Sequence, residues 1–217
     1  MRKNIGLLAT ATVLATALTA GAIAQEAPRG KQAGDVVVGL GAIGVLPTGG
    51  GKVGLIGGEP RASNSASPQL DLSYFFSPYG AVNLIAASTQ HDISVRGSAL
   101  GDVKLGSLWV LPPTLTLQVH PFPQSRISPY AGAGLNVSFF YGYGGAKTAP
   151  VNRVRVDTTP GLALVAGVDY EITPRWLANL DLKKVFLRPD ASVNSGLVRA
   201  RVDLDPWIVG ASVRYRF

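Results

Sequence analysis

The chain has 217 residues, with 20 Lys plus Arg against 13 Asp plus Glu, 26 Gly and no Cys. Charged residues make up 15% of it, against about 25% in an ordinary soluble domain. That composition excludes a disordered or collagenous chain, a disulfide scaffold, a thiolate zinc site and a Cys nucleophile, and leaves the formal charge of +7 to be explained by where the charges lie.

The first segment reads as a targeting sequence. Arg2 and Lys3 precede the uncharged run IGLLATATVLATALTAG, and Ala22-Ile23-Ala24 offers a small-x-small cleavage site. The run approaches the roughly 20 residues of a membrane anchor, but the cleavage site and the polar stretch QEAPRGKQ favour a signal peptide, 1–24, ahead of one domain, 25–217. Cleavage reduces the net charge to +5. A protein that leaves the cytosol is not expected to bind nucleic acid.

No later stretch keeps a helical apolar period, and none approaches a helical span. Alternation with a period of two recurs instead. The first strand, 35–46, is rich in Val and Gly. Then Leu70, Leu72, Tyr74 and Phe76 oppose Gln69, Asp71, Ser73 and Phe75, and Val82, Leu84 and Ala86 oppose Asn83, Ile85 and Ala87. Leu115, Leu117 and Val119 oppose Thr116, Gln118 and His120, and Ala133 to Tyr141 set an apolar face against Gly134, Asn136 and Ser138. The pattern returns at Leu162–Glu171, Arg175–Lys183 and Trp207–Phe217. This predicts eight strands, each near the 9 to 11 residues that cross an outer membrane.

The connections alternate in length. Long links at 48–67, 89–107, 142–157 and 187–203 are separated by turns at 77–80, 121–128 and 173–174. An all-β, eight-stranded antiparallel transmembrane barrel has this pattern, with short periplasmic turns, long extracellular loops and both ends in the periplasm. A soluble eight-stranded barrel would hide its apolar face inside. The polar and small set, which includes Asp71, Asn83, Asn136, Asp169, Asp181 and Arg214, suits a narrow lumen, and aromatics gather toward strand ends. Lys184 breaks the apolar face near an outer end, where it can snorkel. Phe217 and Tyr215, in phase at the terminus, are expected to be an assembly signal for the outer-membrane barrel assembly machinery.

The runs LPPTLTLQ (111–118), PYAGAGLNVSFF (129–140), GVDYEI with Trp176-Leu177, and LDPWIVGASVRYRF (204–217) resemble the OmpW family of small outer-membrane barrels, over essentially the whole mature chain. The resemblance implies a narrow, largely apolar channel for small hydrophobic molecules, with sideways release into the membrane. It places Ile85 and Lys183 at the constriction, among channel-lining residues that include Asn83, Asn136, Asp169 and Asp181. Lys183 departs from the family's apolar residue. Beside Asp181, Asp169 or Glu171 it could form an ion-paired plug, because an unpaired charge in so narrow an interior is costly.

Other chemistry is thin. His91 with Asp92 and Ser88 or Ser94 could serve a rim enzyme acting on lipid, but no motif places a third group, and an exposed loop His is the plainer reading. No metal-ligand spacing, phosphate loop or cofactor motif occurs. Pro112-Pro113 would remove two ladder donors, which makes them either a lateral opening or an ordinary strand start. The long links hold most of the positive excess, and Arg153, Arg155, Arg199 and Arg201 are expected to meet lipopolysaccharide phosphates. The sequence therefore predicts a non-enzymatic outer-membrane barrel of a Gram-negative-type cell, embedded in outer-membrane lipid, without cofactor, and a passive conduit for small hydrophobic molecules. The rivals are a structural or surface-binding barrel with a charge-plugged lumen and the rim enzyme.

Overall fold

The computed structural model describes residues 27–54, 57–145, 154–193 and 198–217. The expected signal peptide and Arg153 lie outside the described residues. In chain order the strands are β1 (Val36–Leu46), β2 (Gly51–Val53), β3 (Glu59–Ala62), β4 (Ser65–Ser77), β5 (Gly80–Ala87), β6 (Thr89–Ser98), β7 (Gly101–Leu111) and β8 (Thr114–Val119). They continue as β9 (Ile127–Gly145), β10 (Val154–Val156), β11 (Thr159–Glu171), β12 (Trp176–Phe186), β13 (Asp190–Val193), β14 (Val198–Val202) and β15 (Trp207–Arg216).

Eight of these close a barrel of antiparallel neighbours in the order β1, β4, β5, β8, β9, β11, β12, β15 and back to β1. Closure leaves no unpaired edge, which a chain in lipid requires. Side chains alternate across the wall as the sequence predicts. Leu40 (64% exposed), Leu70, Leu135 and Leu180 point out, and Asp71, Asn83, Thr116, Asn136 and Arg214 are buried inside. A water-soluble barrel would have the opposite sidedness.

Small residues on the inner face make room for large ones. At Gly39 a Cβ would stand 2.8 Å from Arg214 Cγ and 3.2 Å from Asp71 Cβ, so the absent side chain gives the guanidinium its passage across the lumen. Lys184, the break in the outer face, donates to the Asp205 carbonyl and holds its ammonium 5.0 Å from the centre of the Trp207 ring. That posture keeps the charge at the interface while the alkyl stem covers the wall.

The long links are not plain loops, and here the sequence reading is corrected. β6 and β7 form a hairpin that prolongs the third and fourth spans outward, with β7 pairing to the distal part of β9 and β3 adding to β6. A second sheet, in the order β10, β13, β14, β2, is built from the other links. The faces also invert. Along β6, Thr89, His91 and Val95 are buried, whereas Gln90, Asp92 and Arg96 are exposed. Beyond the bilayer water replaces lipid outside, so the polar face turns outward and the apolar face lines the interior. His91, expected as an exposed loop residue, is therefore buried inside the extension.

Candidate channel and lateral opening

The lumen is layered, and the inward residues change character along the strands. On β12 the inward residues run Leu177, Asn179, Asp181, Lys183, Val185, and on β15 they run Arg216, Arg214, Ser212, Gly210, Ile208. An apolar cluster of Val37, Phe75, Ala81 and Leu177 lies at the periplasmic end. Above a polar middle zone, Ile43, Val45, Ala87, Ala163, Val185, Leu187 and Ile208 form a second apolar cluster.

The polar zone is an ion-paired plug. Arg214 reaches Asp71 Oδ2 at 2.6 Å and Asp169 Oδ1 at 3.1 Å, and Arg216 reaches Glu171 at 3.1 Å. Lys183 pairs with Asp181, two residues along its own strand. The strands and the residue entering β1 supply the carboxylates Asp35, Asp71, Asp169, Glu171 and Asp181, against the cations Lys183, Arg214 and Arg216. Two further cations come from the segment before β1. Lys31 Nζ lies 3.0 Å from Asp169 Oδ2, and Arg29 grips Asp35 with both arms at 2.7 and 3.1 Å. Five carboxylates thus meet five cations among the described residues. Charges this deeply buried require such pairing.

The same segment straps the periplasmic mouth. Arg29 N and Gly30 N donate to the two oxygens of Glu171 at 2.7 and 3.2 Å, Arg216 Nη1 donates to the Gly30 carbonyl at 2.7 Å, and Lys31 N donates to the Pro123 carbonyl at 2.8 Å. Burial pushes the Lys31 ammonium below its ordinary range, with Asp169 pulling the other way. Beside it His120, just past β8, is sandwiched between Phe75 and Tyr130 at ring distances of 5.0 and 4.9 Å. Burial, together with the Lys31 charge, lowers the His120 pKa to about 3.

Above the plug the barrel opens into a vestibule of about 240 Å³ whose wall is almost entirely apolar, with Val103, Leu105, Leu108, Val110, Leu187 and Leu204 among its lining. Beside it one seam of the wall lacks ladder pairs over three positions, although the register is the same on either side. The β5–β8 ladder ends at the Ile85–Thr114 pair and the β6–β7 ladder begins at Thr89–Val110, so residues 86–88 and 111–113 face each other with no ladder pair. Pro112 and Pro113 have no N–H to donate there. The neighbouring seams stay closed. Val137 N donates to the Pro113 carbonyl at 3.1 Å, and Ser67 Oγ donates to the Ser88 carbonyl at 2.6 Å. Asn136 Nδ2 also donates to the carbonyls of Pro112 at 3.1 Å and Pro113 at 3.4 Å. Outside the gap Trp109 stacks against Tyr141 at 6.5 Å, as in an interfacial aromatic belt.

The residues singled out from sequence divide between these zones. Ile85, Lys183, Asn83, Asn136, Asp169 and Asp181 all point inward and are buried. Asn136 borders the vestibule, Ile85 sits at the last rung below the gap, and Asn83 donates to Ser73 Oγ at 2.9 Å. Asp169, Asp181 and Lys183 belong to the plug. Pro112 and Pro113 stand between two strands and not simply at a strand start. Arg155 lies on β10, and Arg199 and Arg201 lie on β14, in the outer sheet. Tyr215 and Phe217 stack edge to face at 4.8 Å on the outer wall. The sequence reading missed the strap and the hub role of Arg214. One signal was present: acids on the inner parity outnumber cations, and Arg29 and Lys31 stand just ahead of the first strand.

Comparison with known proteins agrees with this architecture. The OmpW family matches residues 32–217. The outer-membrane protein y4mB of Sinorhizobium fredii is 39% identical over 179 residues, covering 81% of this chain and 76% of that protein. Outer membrane protein W of Escherichia coli K12 is 31% identical over 97% of this chain and 99% of its own length. The crystal structure of OprG from Pseudomonas aeruginosa superposes with a TM-score of 0.80 at 29% identity, covering 88% of this chain and 99% of that one. With a closed eight-stranded barrel, a lipid-facing apolar wall and a match across nearly all of the described residues, the chain belongs to the OmpW family and is an outer-membrane protein.

Proposed function

We propose that the barrel takes small apolar molecules into the vestibule from outside and releases them sideways, through the seam at Pro112-Pro113, into the outer leaflet. The observation that carries this reading is an apolar vestibule set above a layer of buried ion pairs and beside wall positions 86–88 and 111–113 that lack ladder pairs. A hydrophobic solute gains nothing by crossing buried ion pairs and gains free energy by moving from an apolar cavity into lipid. The plug thus supports sideways release, and a barrel that is merely structural has no use for the vestibule.

No catalytic step enters this reading. His91 Nδ1 bonds the Ser63 carbonyl at 2.7 Å, and Ser88 Oγ bonds the Tyr141 hydroxyl, so neither is directed at the other. The surrounding partner is outer-membrane lipid. Arg153, Arg155, Arg199 and Arg201 are assigned to lipopolysaccharide phosphates. β10 and β14 both pair with β13, which sets Arg155 and Arg199 opposite Ser192 and joins Arg155, Arg199 and Arg201 in one outer sheet. Unaltered lipopolysaccharide binding by the quadruple Gln variant would remove that assignment.

The seam can be closed reversibly. The chain has no Cys, and Ser88 and Leu111 follow the Thr89–Val110 pair in register. With Ser88→Cys and Leu111→Cys oxidised to a disulfide, cellular uptake of a hydrophobic probe should fall to the level of a strain lacking the protein and return on reduction. Full uptake through fully cross-linked protein would refute lateral release.

A further inference from the structure

We infer that the few polar side chains set into the apolar vestibule wall offer only hydrogen-bond acceptors, which favours apolar molecules carrying one donor, alkanols or phenols, over isosteres that carry only acceptors. This rests on the conduit reading and names its cargo class. Thr89, His91, Asn136 and Ser138 line that wall, each more than nine-tenths buried, in a cavity otherwise apolar except for Arg61. Arg61 is half exposed and bound to Glu59 at 2.7 Å.

Every donor in this polar group is already engaged. The Ser63 carbonyl can only accept, so the proton lies on His91 Nδ1, 2.7 Å away, and in the uncharged ring Nε2 accepts from Thr89 Oγ1 at 2.9 Å. Ser138 Oγ donates to Asn136 Oδ1 at 2.8 Å. The amide Nδ2 of Asn136 faces the carbonyls of Pro112 and Pro113 and, at 2.8 Å, Thr114 Oγ1. The Thr114 hydroxyl donates in turn to the Pro112 carbonyl at 3.0 Å.

What remains is lone pairs. The hydroxyl oxygens of Thr89 and Ser138 each give away their proton and accept no bond within the described residues. A phenol or alcohol O–H can donate to them. A ketone or ether oxygen would set lone pairs against lone pairs and leave both buried groups unsatisfied. A carboxylate would fare worse, because a buried anion needs a cation, and none of these four side chains supplies one.

The test uses the folded barrel in phosphatidylcholine nanodiscs, with partition of 2-naphthol, naphthalene and 2-methoxynaphthalene measured against empty nanodiscs. The expected result is 2-naphthol binding about five-fold tighter than 2-methoxynaphthalene, the worth of one ordinary hydrogen bond. The preference should shrink below about two-fold in Thr89→Val/Ser138→Ala and survive in Thr89→Ser. Equal binding of all three probes to the wild type overturns donor selection and leaves the conduit standing. Absence of specific binding by any probe overturns both. The wild-type series decides the matter even if the double variant fails to fold.

Discussion

Arg214 and Asp71, 143 positions apart in the chain, meet at 2.6 Å across the lumen. The other arm of the same guanidinium holds Asp169 at 3.1 Å, so one side chain on β15 ties β4 to β11 through the middle of the barrel. Removing it leaves two carboxylates buried with half their compensation gone. Arg214→Met is expected to cost about 3–5 kcal/mol, read as a lower urea midpoint in a lipid-reconstituted unfolding series. An unchanged midpoint would mean that the plug carries no structural load.

The strap before β1 should control ion leakage. In Arg29→Ala/Lys31→Ala the plug keeps five carboxylates but only three cations. Single-channel recordings in planar bilayers should then show a higher conductance than wild type and a reversal potential shifted toward cation selectivity. Identical traces would place the barrier elsewhere in the lumen.

His120 makes stability depend on pH with a definite sign. Its pKa in the folded barrel is about 3, against about 6.5 when unfolded. Between these values only the unfolded chain takes up the proton, so the stability present above pH 6.5 is lost as the pH falls toward 3. The loss from this residue is about 2 kcal/mol on going from pH 7 to pH 5. His120→Phe should flatten that part of the pH profile of the urea midpoint, while a profile as steep as wild type would assign the effect to other groups.

The assembly role expected of the C-terminal aromatics can be tested by deletion. Phe217 is 72% exposed and packs only edge to face on Tyr215, which in turn meets Trp176 at 5.0 Å. Deleting Phe217 should leave the stability of detergent-refolded protein within about 0.5 kcal/mol, yet lower the amount reaching the outer membrane several-fold. Normal surface levels of the deletion would exclude a role as an assembly signal.

The eight spans were legible because lipid outside and a packed lumen inside force a strict alternation, from Leu70–Phe76 to Trp207–Phe217. β6 and β7 were not, since above the bilayer the rule reverses. Ile93 and Val95 turn inward, and Gln90 and Asp92 turn outward. A reader who expects apolar residues outside takes that hairpin for a loop, and takes His91 for an exposed residue when it lies in the vestibule wall. The inward acids were legible as lumen residues, but pairing Asp169 with Lys31 needed the three-dimensional path of the segment before β1. The missing ladder pairs at Pro112-Pro113 were half visible, because absent N–H donors show in the sequence and the register that sets residues 86–88 opposite them does not.

The point at which the faces invert also works as a depth gauge. From Gly80 to Ser88 the third span rises eight residues, about 26 Å of strand and about 20 Å of height at the usual tilt. The seam beside Ser88 therefore lies near the boundary between acyl chains and headgroups of the outer leaflet, well above the midplane. Under the proposed lateral release, a molecule carrying a single hydroxyl would enter the leaflet close to the depth at which its polar end meets the water and its apolar end the oil.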